Sequence, residues 1–200
     1  GIDNGALIEY SIDNGSTWSS SFKATEGSNT VLVRQTDIAG NTSVESTYTF
    51  TLDTTVASPT IALSSDSGTS STDKITNIGT VNVAGLESGA TWEYSTNNGS
   101  TWTTGTDSSF SVTGDGVKTV LVRQTDVAGN TSNSASYSFT LDTTAGLPTV
   151  GLVSDSGTSG SDGITNNGSV AVSGLETGAS YQYTTDNGLT WTTGSGSSFS

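Results

Sequence analysis

The chain contains no cysteine, no methionine and no histidine in its 200 residues. Without cysteine it has no thiol nucleophile and no disulfide framework. Without histidine it has neither a serine–histidine pair nor a zinc site of the usual kind. Because these absences weaken most enzyme classes, we predict that the protein is not an enzyme.

Basic residues and long apolar runs are also scarce. Five lysines and arginines face 19 aspartates and glutamates, which gives a net charge of −14 at pH 7. Nucleic acid and anionic membrane surfaces are bound through basic patches, so we expect neither as a partner. No apolar run approaches the roughly 20 residues of a membrane span, and we expect no membrane insertion.

What the sequence does contain is an internal repeat. The text VLVRQTDxAGNTS stands at residues 31–43 and again at residues 120–132, where x is Ile or Val. Asp53 and Asp142, which follow these two copies, are 89 residues apart. A unit of that length is close to the roughly 100 residues of an immunoglobulin-like sandwich. We predict the back part of one module at residues 1–56, a complete module at 57–145 and the front part of a third at 146–200.

Alternating apolar and polar residues indicate strands. Val120 and Val122 fall on one face of an extended segment, and Tyr137 and Phe139 do so in the next segment. Gly and Asn residues between the two segments favour a turn. The fold class is therefore predicted as all-β, with seven short antiparallel strands in the complete module and no helix. The first five strands are expected at residues 59–63, 80–84, 91–95, 100–103 and 109–112.

Two tryptophans of the complete module are assigned to its core. Trp92 shares the third strand with Tyr94, and a row of this kind packs in the core or, if exposed, stacks on sugars. Trp102 ends a motif, S-x-D-x-G-x-T-W, that resembles the Asp-box hairpin of sialidases and other β-proteins. Residues 11–18 fit it, and 95–102 and 184–191 repeat it with substitutions. We expect it to be structural, because an Asx side chain, a glycine and a tryptophan together close a hairpin.

Five aspartates are candidate calcium ligands: Asp53, Asp66, Asp73, Asp126 and Asp142. The first and last of them end a module, and Asp142 is expected at the same pole as the loop that carries Asp66 and Asp73. Asp126 is expected at the opposite pole, where it faces Asp53 of the preceding module together with Glu87. Oxygen ligands without nearby basic residues suit calcium, which accepts six to eight oxygens. The alternative is that these residues are ordinary turn and capping groups.

The order of these motifs resembles a known family. D-x-A-G-N-T-S, a strand ending L-D-T-T, a Pro-Thr start and an S-D-S-G-T-S loop look like the tandem bacterial immunoglobulin-like repeats of giant type I-secreted surface adhesins and biofilm-associated proteins. The resemblance covers the whole chain. It implies a stalk at the bacterial cell surface, often stiffened by calcium, whose partners are neighbouring repeats. A host or surface ligand would be bound by other domains.

Three functions remain open at this point. The first is an extracellular spacer that holds a binding tip away from the cell. A carbohydrate- or receptor-binding module is the second, and it requires an exposed aromatic patch. The third, a sialidase-like hydrolase, requires two carboxylates facing each other across a cleft, about 5 to 9.5 Å apart.

Overall fold

The computed structural model describes residues 1–200 and contains strands and no helix. It therefore has no helix of the length and apolarity that crossing a membrane requires. The chain divides into two compact units, Gly1–Leu141 and Asp142–Ser200. The first unit comprises the first partial module and the complete module.

The first partial module is one antiparallel sheet. Its strands, in the order β1-β2-β3, are β1 (Leu7–Ser11), β2 (Gly27–Thr36) and β3 (Ser46–Leu52). Phe22 stacks on Tyr10 and meets Phe50 edge-on, with ring centroids 6.3 Å apart in both pairs. Val31 is the one apolar side chain of this module that is fully buried. The module thus has a thin apolar layer on one sheet.

The complete module is a sandwich of two sheets. Its strands are β4 (Thr60–Leu63), β5 (Ile75–Thr76), β6 (Thr80–Ala84), β7 (Thr91–Ser95), β8 (Thr103–Thr104), β9 (Ser109–Ser111), β10 (Gly116–Thr125) and β11 (Ala135–Leu141). One sheet has the order β4-β6-β9 and the other β5-β11-β10-β7-β8. The predicted all-β, immunoglobulin-like class is confirmed.

Two strand predictions are wrong in detail. The strand expected at residues 100–103 is only Thr103–Thr104, because Ser100 belongs to the turn that closes the β7–β8 hairpin. Strand β5 was not predicted, and it pairs in parallel with β11, at Ile75↔Thr140 and Thr76↔Leu141. A two-residue strand has no periodicity of its own, so only its partner defines it.

The core lies between the two sheets. Its buried residues are Val81, Val83, Trp92, Phe110, Val120, Val122, Phe139 and Leu141. Trp92 is only 5% exposed, which confirms its assignment to the core. Its ring lies flat against Gly105, where an added Cβ would overlap the indole. Tyr94 continues this layer and stacks on Phe110 with centroids 4.1 Å apart.

Trp102 is not a core residue, contrary to the prediction. It is half-buried on the outer face of the sheet, where the Arg123 guanidinium lies 4.0 Å above its ring. Glu93 holds that guanidinium through an ion pair of 3.0 Å. The first module repeats the arrangement with Trp18, Arg34 and Glu9. The hairpin motif places its tryptophan under an arginine of the neighbouring strand, and the buried tryptophan comes from the strand before the motif.

The second unit has two small sheets. Strands β12 (Thr149–Leu152), β13 (Val170–Ser173) and β16 (Ser198–Phe199) form one in the order β12-β13-β16, and β14 (Gln182–Tyr183) pairs with β15 (Thr192–Thr193). Tyr181 lies against Gly194 as Trp92 does against Gly105. Trp191 is 60% exposed, because no strand of this unit carries an arginine over its ring. The ring therefore lacks the cover that Arg34 and Arg123 give to Trp18 and Trp102.

The different positions of the two tryptophans predict different costs of truncation. Trp92→Ala leaves a cavity between the sheets and should lower the free energy of unfolding by about 3 to 5 kcal/mol. Trp102→Ala removes mainly a cation–π contact and should cost about 1 kcal/mol. Urea unfolding followed by far-UV circular dichroism measures both. Equal costs for the two variants would contradict this assignment of the core.

Candidate functional site

The segment between β3 and β4, residues 53–58, is called the linker here, and its last two residues fall within the predicted bounds of the complete module. It is hydrogen-bonded to both modules. On the side of the first module, Glu26 Oε1 accepts a hydrogen bond from Thr54 N at 3.1 Å. Glu26 Oε2 accepts a second one from Thr54 Oγ1 at 2.7 Å. These bonds, first of all that from the Thr54 hydroxyl, lower the pKa of Glu26. The start of the segment is thus held by a carboxylate that is ionised at neutral pH.

The complete module binds the same segment at four points, one of which is Gln124. Asn130 Nδ2 donates to the main-chain oxygen of Asp53 at 3.0 Å. Ala57 N donates to Glu87 Oε1 at 2.9 Å. Ser58 Oγ donates to the main-chain oxygen of Asn133 at 3.0 Å. The linker therefore lies along one pole of the complete module and is not a free tether.

Gln124 forms the centre of this pole. It lies near the end of β10 and is fully buried, with 0% exposure. Its Nε2 donates to the main-chain oxygens of Ala57, at 2.9 Å, and Gly85, at 3.1 Å. Its Oε1 accepts from Glu87 N at 2.8 Å. Both amide protons and the carbonyl are paired, as a buried amide requires.

Asn130 is itself positioned by Asp126. The two carboxylate oxygens of Asp126 accept from the main-chain and side-chain nitrogens of Asn130, both at 2.8 Å. The bond from the Asn130 side chain is the main cause of the lowered pKa of Asp126. Asp37 and Asn41 make the same pair of bonds in the first module. The D-x-A-G-N turn thus fixes the orientation of its asparagine side chain.

The predicted ligands at this junction lie as follows. The Asn130 side chain donates both to the main-chain oxygen of Asp53 and to the carboxylate of Asp126. Glu87 accepts a hydrogen bond from Ala57 N, four residues after Asp53. Asp53 Oδ1 accepts from Thr55 N at 3.3 Å. The Asp53 side chain also interacts with the side chain of Glu26. Calcium binding by Asp53 and Asp126 stays a prediction.

The predicted ligands Asp66 and Asp73 lie in one loop. Asp66 Oδ2 accepts from Lys74 N at 2.8 Å, and Asp73 Oδ1 accepts from Ile75 N at 3.0 Å. The other oxygen of Asp66, Oδ1, is buried and has no hydrogen-bond partner. A carboxylate oxygen in that state is costly unless a cation or a donor meets it.

The second unit repeats this loop. Asp155 Oδ2 accepts from Gly163 N, and Asp162 Oδ1 accepts from Ile164 N, each at 3.0 Å. Asp155 Oδ1 is again buried and without a partner. Asp142, the fifth predicted ligand, belongs to this unit, where its Oδ1 accepts from Thr144 N at 3.3 Å. The structure assembles no group of three or more acidic side chains around a potential metal position, so any cation here would also need main-chain or hydroxyl oxygens.

The Asp-box-like motifs are structural hairpins. Asp13 accepts from Thr17 Oγ1 at 2.6 Å and from Thr17 N at 2.8 Å, and these bonds lower the pKa of Asp13 to about 2. Asn97 takes the same position in the complete module and reverses one bond, since its amide donates to Thr101 Oγ1. In its turn Asn98 and Gly99 both have positive φ, as the tight hairpin requires.

Comparison with known families agrees with this geometry. A family model described as the bacterial Ig-like domain matches residues 2–54 and again residues 55–143. The chain belongs to the bacterial Ig-like domain family. No curated protein matches it. The two adjoining matches show that tandem bacterial Ig-like repeats make up this part of the chain.

Sequence reasoning missed three groups that matter in these bacterial Ig-like repeats. Gln124 has a sequence signal, because it lies on the same face of its strand as Val120 and Val122, so the inward face ends in a polar residue. Asp155 has one too, since it repeats Asp66 after 89 residues. Glu26 has none, because its partner Thr54 lies 28 residues away in the sequence, beside it at the adjoining end of strand β3.

Proposed function

We propose that this chain is part of an extracellular stalk of a bacterial surface protein, in which rigid Ig-like repeats hold a ligand-binding domain away from the cell. The observation that carries the proposal is the junction between the two modules, where a short linker is hydrogen-bonded to both neighbours. Domains joined by a flexible linker move relative to one another by default. Repeats joined in this way would add their lengths.

In the complete module, the tryptophans that a sugar-binding patch would need have structural roles. Trp92 is buried in the core, and Trp102 is covered by Arg123. Both arginines of the chain are paired, Arg34 with Glu9 and Arg123 with Glu93. An adhesin or biofilm role for the whole protein follows from the stalk proposal, with the binding step assigned to other domains.

Calcium is the second part of the proposal. The donor set fits a hard cation at the loop of residues 64–77, because Asp66 Oδ1 is buried without a partner and Asp155 Oδ1 repeats the feature. Asp73, Asp142, Asp53 and Asp126 are the further carboxylates proposed to take part at the junctions. A bound cation would be the missing partner of each of these two carboxylate oxygens. Extracellular modules bind calcium at about 10⁻⁴ to 10⁻³ M, so such sites would fill only outside the cell.

The stalk proposal predicts how length grows with repeat number. Proteins with two, three and four complete repeats should show a maximum dimension that rises by a constant increment per repeat in small-angle X-ray scattering. Freely jointed repeats would instead grow roughly as the square root of their number. A square-root dependence in the presence of millimolar calcium would contradict the proposal.

The calcium proposal predicts a stoichiometry. Titration calorimetry should count one site for each of the two loops in addition to the junction site of Asp53 and Asp126, and Asp66→Asn should remove one of the two loop sites. The amide keeps an acceptor for Lys74 N, so the loop should still fold. At a hundredfold excess over Kd, binding should stabilise the folded module by about 2.7 kcal/mol. Asp107→Asn, which removes the same charge from an exposed loop residue, is the matched control and should keep both loop sites.

The double variant Asp66→Asn with Asp155→Asn should bind no calcium in these loops. If it takes up as much calcium as the parent protein, the two unpartnered oxygens are not ligands. In that case the loops are turn structures only.

A further inference from the structure

We infer that the direction of one repeat relative to the next is set by a metal-independent clamp, formed by Gln124, Glu87 and Asn130, that binds the main chain of the preceding linker. The inference deepens the stalk proposal and rests on it. All three side chains belong to the later repeat, and their partners on the linker are main-chain atoms of Asp53 and Ala57.

Because the clamp binds main-chain atoms, it responds to the length of the linker more than to its sequence. The two linkers of the chain differ, with DTTVAS between Leu52 and Pro59 and DTTAGL between Leu141 and Pro148, but each has six residues. The main-chain nitrogen of Gly146, which corresponds to Ala57, donates to Glu176 Oε1 at 2.6 Å. Glu176 corresponds to Glu87, so this bond persists although the linker residue has changed.

The first module repeats two of the three bonds of the Gln124 amide. Gln35 corresponds to Gln124, and it makes the two bonds within the module: Oε1 accepts from Asp3 N at 3.0 Å, and Nε2 donates to the main-chain oxygen of Gly1 at 3.4 Å. It is half-buried, whereas Gln124 has the additional bond to the Ala57 oxygen and is fully buried. In the complete module the main-chain oxygen of Ala57 is the third partner of the Gln124 amide.

Electron paramagnetic resonance can test the clamp on the full chain. The protein has no cysteine, so cysteines introduced at the exposed positions Thr47 and Thr113 are the only labelling sites, one in each module. The distance distribution between the two spin labels, recorded with a calcium chelator present, reports the relative direction of the modules. The parent protein should give a single narrow distribution.

Glu87→Ala with Asn130→Ala removes two of the linker bonds and should broaden the distribution about twofold or more, because relative motion is the default for domains without a firm junction. Glu87→Gln keeps an acceptor for Ala57 N and should retain the parental width. Asn41→Ala is the matched control, since Asn41 makes the same bonds to Asp37 as Asn130 makes to Asp126 and does not contact residues 53–58. It should leave the width unchanged.

A glycine inserted between Thr55 and Val56 tests the dependence on length. It should broaden the distribution as much as the double variant, whereas Val56→Ala should not. Circular dichroism should show that every variant retains the folded sheets.

The outcomes separate this inference from the stalk proposal. If the double variant and the insertion both give a distance distribution as narrow as that of the parent protein, the clamp inference is wrong. The stalk proposal is then unaffected. Equal broadening by Asn41→Ala would also overturn the clamp, because the effect would not depend on the linker. A parent distribution that stays broad even with millimolar calcium counts against both.

Discussion

The junction of this protein depends on one buried amide. Gln124 lies on the same strand face as the buried Val120 and Val122, and each polar atom of its side chain has a partner. Leaving a buried donor unpaired costs about 1 to 3 kcal/mol. Gln124 is therefore paired fully only when the linker of the preceding repeat is in place, with the Ala57 oxygen opposite its amide. The same residue thus connects the core of one repeat to the position of its neighbour.

Acidic residues contribute to this arrangement by accepting hydrogen bonds from the main chain. Glu26 and Glu87 accept from linker nitrogens, and Asp126 holds the asparagine that binds the linker from the other side. Charged acceptors make stronger hydrogen bonds than neutral ones. The chain has a net charge of −14 and few basic residues. Some of its carboxylates therefore accept hydrogen bonds that hold the linker main chain in place. The two unpartnered oxygens, of Asp66 and Asp155, are the exceptions.

The sequence predicts the fold well where a local pattern exists. Val120 and Val122 share one strand face, Phe139 alternates with Ser138 and Thr140, and all three apolar side chains are buried. Trp102 was misplaced because its motif fixes a hairpin but not the face on which the ring lies, and that face is decided by Arg123 from another strand. Strand β5 was missed because it exists only through pairing with β11. Local patterns thus identify the strands, and pairing over long sequence distances decides the rest.

The candidate site was predictable in part for the same reason. The D-x-A-G-N turn was expected to face the preceding module, and Asn130 does bind Asp53. The bonds from Glu26 to Thr54 and from Gln124 to Ala57 join residues 28 and 67 positions apart. No spacing in a single sequence indicates such pairs. Because Gln124 lies on the inward-facing side of its strand, the sequence indicates that its amide needs a polar partner in the interior. It does not indicate which residue that partner is.

Residual dipolar couplings test the central claim, that the linker is fixed and the first two modules form one body, most directly. Couplings would be measured for amides of β2 in the first module and of β10 in the complete module, in one weakly aligning medium with a calcium chelator present. A fixed junction predicts that a single alignment tensor fits both sets with the relative orientation of the structure. Two tensors of clearly different magnitude would show that the modules move independently, and would contradict the account.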